Sequence, residues 1–107
     1  MTYYMFQASF TPDAWAKMVR QPQNREAAMR PTFEKLGGQL IGYWFAFGES
    51  DVVVIAQLPD SVSAAAAAVS AFSGGALKSI KTTVLMTAEE SMEAMRKAGA
   101  GTYRAPS

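Results

Sequence analysis

Residues 3–10 alternate in direction: Tyr4, Phe6, Ala8 and Phe10 point one way, and Tyr3, Met5, Gln7 and Ser9 point the other. A period of two predicts a strand. Thr11-Pro12-Asp13 then carries three helix-start signals. They are a capping hydroxyl, a proline suited to the first helical position and a carboxylate at the positive end of the helix dipole. Trp15, Met18 and Val19 share a face at helical spacing. Pro22 interrupts that helix, and a second helical stretch over 24–36 sets Met29, Phe33 and Leu36 on one face. Pro31 lies inside it and predicts a kink or an offset start. Gly37-Gly38 ends it, with one of the pair in the left-handed conformation.

Residues 39–47 read as the strongest strand. Uninterrupted alternation puts Leu40, Gly42, Trp44 and Ala46 on one face and Ile41, Tyr43, Phe45 and Phe47 on the other. Gly48-Glu49-Ser50 is a tight connection to a β-branched strand over 51–58, so the pair forms a hairpin. Pro59 stops it, and Asp60 or Ser61 caps a helix over 61–72 built almost wholly of alanine and small residues. Its alanine run, Ala64–Ala68, suits close approach of a helix to a sheet and has high helix propensity. A fourth strand follows over 77–86, carrying Lys78, Lys81, Thr82 and Thr83. Strand geometry sets the two lysines on opposite faces unless a bulge intervenes. Thr87-Ala88-Glu89-Glu90 matches a capping box and opens a last helix over 88–97, anchored by Met92 and Met95. Residues 98–107 form a flexible tail beyond a single domain of residues 1–97.

The order β-α-β-β-α-β with right-handed crossovers predicts an α+β, ferredoxin-like fold with an extra C-terminal helix. A doubly wound sheet is excluded, because the 39–58 hairpin breaks strand–helix alternation. Covering one face of such a sheet should leave the other polar. Both faces of 39–47 are instead apolar or aromatic, and both faces of 52–58 are apolar except at Gln57. Leaving either face in water forfeits several kcal/mol at ~25 cal/mol per Å². The expected remedy is a homodimer with sheets face to face, the dimeric α/β-barrel arrangement. The alternative is a monomer whose last helix and tail cover the second face.

Composition narrows the chemistry. The 107 residues include no cysteine and no histidine, and ten Lys+Arg against nine Asp+Glu leave a net charge of +1. Thiolate nucleophiles, Ser-His-Asp and Cys-His triads and the commonest transition-metal ligands are therefore excluded. The near-neutral balance argues against nucleic acid as a partner. No apolar run reaches the ~20 residues that span a bilayer, so no membrane partner is expected. Nor does a basic stretch precede the apolar start, so no secretory signal is expected, and cysteine-free composition fits a cytoplasmic location.

Several residues, taken in order, resemble the GYD domain family. They are Phe10-Thr11 after the first strand, Leu36-Gly37-Gly38 into the second, Tyr43-Trp44 within it, Gly48-x-x-Asp51 at the hairpin, Pro59-Asp60 before the alanine helix and Thr87-x-x-Glu90. The resemblance covers about residues 3–91 and implies a ferredoxin-like, dimeric α/β-barrel fold. The family is named for a Gly-x-Tyr-Asp turn, and here Ser50 stands at the tyrosine position.

Candidate binding residues are Trp15, Asn24, Arg25, Tyr43, Trp44, Glu49 and Asp51. Glu49 and Asp51 suit a base or ligand at a pocket rim, or plain turn chemistry in which Asp51 bonds nearby backbone N–H groups. Without histidine they make a poor transition-metal site, so no metal and no cofactor is expected. Tyr43 and Trp44 are adjacent on a strand, so one lines the core and the other the dimer contact, each with a polar tip that seeks a partner. Trp15 anchors the first helix or closes a cavity mouth. Arg20 and Arg25 suit bidentate capture of a carboxylate or phosphate, or a solvated helix face that also holds Arg30.

Three functions fit these residues. One is a homodimer that binds a small apolar or aromatic molecule between sheet and helices. The second is a cofactor-free oxygenase or isomerase of the dimeric α/β-barrel kind, acting on an aromatic or polyketide-like substrate through Tyr43, Trp44, Asn24, Glu49, Asp51 or an arginine. The third is a self-association module.

Overall fold

A computed structural model describes residues 1–106 of the chain. Eight elements follow in order: β1 (Thr2–Phe10), α1 (Pro12–Arg20), α2 (Arg25–Lys35), β2 (Gln39–Phe45), β3 (Val52–Leu58), α3 (Ser61–Ser73), β4 (Leu77–Leu85) and α4 (Ala88–Gly99). The strands form one antiparallel sheet in the order β2-β3-β1-β4. This is the ferredoxin-like α+β arrangement, with the first crossover made by two short helices and α4 added at the end.

The helix ends follow the chemistry of their side chains. Thr11 accepts from the Ala14 N–H at 3.1 Å, Asn24 from Ala27 at 3.1 Å and Asp60 from Ser63 at 2.8 Å. Thr87 and Glu90 complete a reciprocal capping box on α4, at 3.1 and 2.9 Å. At the other end of α2, Gly37 adopts φ +84°. The Gly37 N–H then reaches the Glu34 carbonyl, and the Gly38 N–H reaches that of Phe33, each at 3.0 Å. This is a Schellman closure, which needs a residue without a Cβ penalty at position 37. Pro31 neither breaks nor offsets α2, which starts at Arg25 and continues through it to Lys35.

Two strand expectations are corrected. In β2 the register shifts between Leu40 and Gly42. Leu40 pairs with Ala56, while Gly42, Tyr43, Trp44 and Phe45 pair with Ile55, Val54, Val53 and Val52. The extra residue, Ile41, resets the alternation. Leu40 therefore shares the helix-covered face with Tyr43 and Phe45, and Gly42 and Trp44 lie on the other. The strand also stops at Phe45 rather than 47, because the Ala46 N–H closes on the Asp51 carbonyl at 2.8 Å and Phe47 passes into the loop. A second irregularity lies opposite Ser9/Phe10, where Lys78 is the unpaired residue of β4.

The core lies on the helix side of the sheet. Tyr4, Phe6, Ala8 and Phe10 of β1 meet Val52, Val54, Ala56 and Leu58 of β3, with Leu40 and Phe33 beside them. Ala64 and Ala67 of α3 are buried against this layer, so the small residues let the helix approach closely. The larger apolar residues of α3, Val62, Val69 and Phe72, face outward and are exposed.

The opposite sheet face has no helix over it. Registered rows run Gln57–Tyr3–Leu85, then Gly42–Ile55–Met5–Thr83, then Trp44–Val53–Gln7–Lys81. The Trp44 ring fills the space above Gly42 where a Cβ would stand, yet Trp44 is 55% exposed. The last helix does not close this face. No residue of α4 is buried, and Met92 and Met95 are exposed. The radius of gyration is 17.1 Å and the longest dimension 57 Å. A packed chain of this length has a radius of ~13 Å, so α4 stands away from the body.

Candidate functional site

The covered face of the sheet encloses a cavity of about 120 Å³. Its floor is Phe6, Ala8 and Phe10 from β1, Val52 and Val54 from β3 and Tyr43 from β2. Arg25, Met29 and Phe33 of α2 and Ala67 and Ala71 of α3 form the roof. Alanines on α3 leave this space open where larger side chains would fill it. Beside it lies a wider space, the mouth, of about 350 Å³, bounded by α1 and the Gly74-Gly75 turn. Phe10, Arg25 and Ala76 border both spaces.

Polar groups are sparse in the inner cavity. Thr32, near the roof, adds a hydroxyl, and the two ionisable side chains are Arg25 and Tyr43. Burial pushes the Tyr43 phenol above its ordinary value, and the Arg25 guanidinium beside it draws it part way back. The Arg25 Nη2 donates to the Met29 sulfur at 3.6 Å, a weak acceptor. Its Nε is buried and has no hydrogen-bond partner.

The remaining sequence-derived candidates lie elsewhere. Asp51 tethers the end of β1: its Oδ2 accepts from the Phe10 N–H at 2.9 Å and from the Trp15 indole N–H at 3.2 Å. The residues bonded are distant in sequence rather than neighbours in the turn. Trp15 meets Phe10 edge-on at 5.5 Å between ring centroids and Phe45 at 6.0 Å, so it anchors α1 to the sheet. Phe45 in turn contacts Tyr43 at 5.7 Å, which joins this aromatic group to the cavity wall. Asn24 caps α2, Glu49 is exposed in the hairpin loop and Trp44 lies on the uncovered sheet face. Of the three arginines near α2, Arg30 pairs with Glu26 at 3.0 Å and Arg20 is exposed, so only Arg25 turns inward.

Met29, Ala71 and the Gly74-Gly75 turn were not among the candidates, although Met29 had been set on the apolar face of its helix. No residue type among them announces chemistry; only the fold shows that they frame one space. Among the described residues, no group of three or more Asp or Glu side chains is placed to hold a metal ion. No helix is long and apolar enough to cross a membrane.

The family model described as the GYD domain matches residues 4–95, most of the chain. No curated protein matches it.

Proposed function

The chain belongs to the GYD domain family, and on that premise we propose that it is a homodimeric domain that binds a small apolar or aromatic molecule between its sheet and helices. One observation carries the binding reading: an apolar cavity of about 120 Å³ stands beside a wider space of about 350 Å³ instead of being filled by side chains. Protein interiors are close-packed, so such a space forfeits contacts that a ligand restores. Apolar cavities near 150 Å³ accept a ligand as small as benzene.

A ligand-binding experiment tests this reading. Wild-type protein titrated with toluene should show saturable chemical-shift changes at Phe6, Met29 and Ala67. Ala71→Phe, which places a ring in the cavity from α3, should abolish them. Equal shifts in both proteins would place the binding elsewhere and sink the proposal.

The dimer reading rests on the uncovered sheet face with Tyr3, Met5, Val53, Ile55 and Leu85, and on the outlying α4. Apolar surface left in contiguous patches of this kind marks association sites.

One observation favours a cofactor-free enzyme as a second reading. Tyr43 is a half-buried ionisable group on the wall of the cavity. Turnover of an aromatic or polyketide-like compound, lost in Tyr43→Phe while binding persists, would establish it.

A further inference from the structure

The cavity holds an electrostatic imbalance. Arg25 carries a full positive charge at any physiological pH. Burying a charge is costly unless it is paired and hydrogen-bonded. Two other arginines are paired at the surface, Arg30 with Glu26 and Arg96 with Glu93, each at 3.0 Å. Arg25 has no ion pair among the described residues: its guanidinium meets the Tyr43 hydroxyl and the Met29 sulfur, both neutral groups, and its Nε is buried without a partner. The one carboxylate on the cavity or mouth walls, Asp13, stands outside ion-pair distance.

A guanidinium presents donors in a planar fork, and that fork matches the two oxygens of a carboxylate. Here the unpaired fork borders both the apolar chamber and the mouth. Tyr43 lines the same chamber and brings an O–H that donates to an anionic oxygen. The rest of the chamber is largely hydrocarbon and aromatic rings, which fits the body of a ligand but not its charge.

We infer that the ligand of this cavity is an amphipathic monocarboxylate, with an aromatic or short aliphatic body seated among Phe6, Phe33 and Val54 and its carboxylate held by Arg25 and Tyr43. This rests on the binding reading above and adds the chemical class of the ligand. The polar groups fix the orientation, with the carboxylate toward the mouth and the body toward the sheet. Neutral compounds of the same shape lose the charge-assisted bonds and leave Arg25 uncompensated.

Benzoate and benzamide make a matched pair of probes, equal in shape and different in charge. Their affinities for the wild-type protein are to be measured by isothermal calorimetry at neutral pH, and the site mapped by chemical-shift changes. Benzoate should bind at least about tenfold more tightly than benzamide, the scale expected when charged hydrogen bonds are made or lost. Arg25→Gln should remove that preference, weakening benzoate far more than benzamide. Arg25→Lys keeps a point charge without the fork and should retain part of the preference. Tyr43→Phe should weaken benzoate by a smaller factor than Arg25→Gln does. Should Arg25→Gln fail to fold, the wild-type comparison and Arg25→Lys still decide the matter. Equal wild-type affinities for the two probes would overturn the carboxylate assignment while leaving the cavity a binding site. Failure of benzoate, benzamide and toluene alike to bind at millimolar concentration would overturn the binding reading, and this inference with it.

Discussion

Asp51 shows how one side chain can look like site chemistry and serve the fold. A single carboxylate oxygen takes the Phe10 N–H and the Trp15 indole N–H, so β1, α1 and the β2–β3 loop meet there. Asp51→Ala strands both donors, and unfolding in urea should show a loss of about 1–3 kcal/mol. Asp51→Asn keeps an acceptor oxygen and should lose less. Tyr43 gives a prediction that depends on pH. Its phenol is pushed above the ordinary value of 10.0 in the folded state, mainly by burial. The folded protein thus binds the proton more tightly than the unfolded chain, so the contribution is complete below pH 10 and is lost as pH rises through the folded value. Urea midpoints measured upward from neutral pH should fall more steeply above pH 10 for the wild type than for Tyr43→Phe. Parallel curves would contradict this. The residue types behind both effects were legible in the sequence, since Asp51, Trp15, Arg25 and Tyr43 all stood out as candidates. Their grouping was not. Asp51 and Trp15 meet at one end of the sheet, Arg25 and Tyr43 within the cavity, and only the strand pairing separates the two couples.

At the scale of elements, local chemistry set most boundaries. Capping side chains at Thr11, Asn24, Asp60 and Thr87 begin the helices, and the Gly37-Gly38 closure ends α2. Gly37→Ala should cost about 1–2 kcal/mol, because φ +84° crowds a Cβ against the backbone. What local pattern does not carry is a bulge. From Leu40 to Phe47 no charged or amide side chain marks either parity, so nothing in the residue types says that Ile41 is extra. Long-range pairing with β3 decides it, and the decision moves Tyr43 to the face that holds Leu40. Without that shift Tyr43 would lie on the face opposite Leu40, turned away from Arg25. Pro31 is a similar case: tertiary packing of Phe33 into the core holds α2 together through a residue that propensity alone would treat as a break. The α4 helix is the contrasting case. It has a complete capping box and a stripe of Ala88, Met92, Met95 and Gly99, but nothing to pack on. Twelve residues are marginal as an isolated helix, so its stability depends on a surface that the single chain does not supply.

The whole molecule brings that shortage together with the uncovered sheet. A ferredoxin-like domain of this size is expected to have one solvated, polar sheet face. Here Tyr3, Met5, Val53, Ile55 and Leu85 share it with Gln7, Gln57, Lys81 and Thr83, the Trp44 ring fills the space above Gly42, and no residue of the chain's own last helix is buried. In the proposed homodimer, apposed sheets would bury the two faces. Native mass spectrometry should therefore give about 23 kDa, twice the 11.5 kDa of one chain. Two separated substitutions distinguish this from accidental stickiness. Val53→Lys places a charge at the centre of the sheet face, where a like charge from the partner would oppose it. Met92→Glu breaks the α4 stripe without touching the sheet. Val53→Lys should yield monomers at concentrations where the wild type is dimeric, and amides of α4 should lose hydrogen-exchange protection at the same time. Met92→Glu should weaken the dimer less and unprotect α4 first. If the wild type is monomeric at every accessible concentration while α4 stays protected, the helix must find its surface within one chain, and the paired-sheet assembly is wrong. If the dimer persists in Val53→Lys, its interface lies off the sheet, and the exposed Val62, Val69 and Phe72 on α3 become the face to examine.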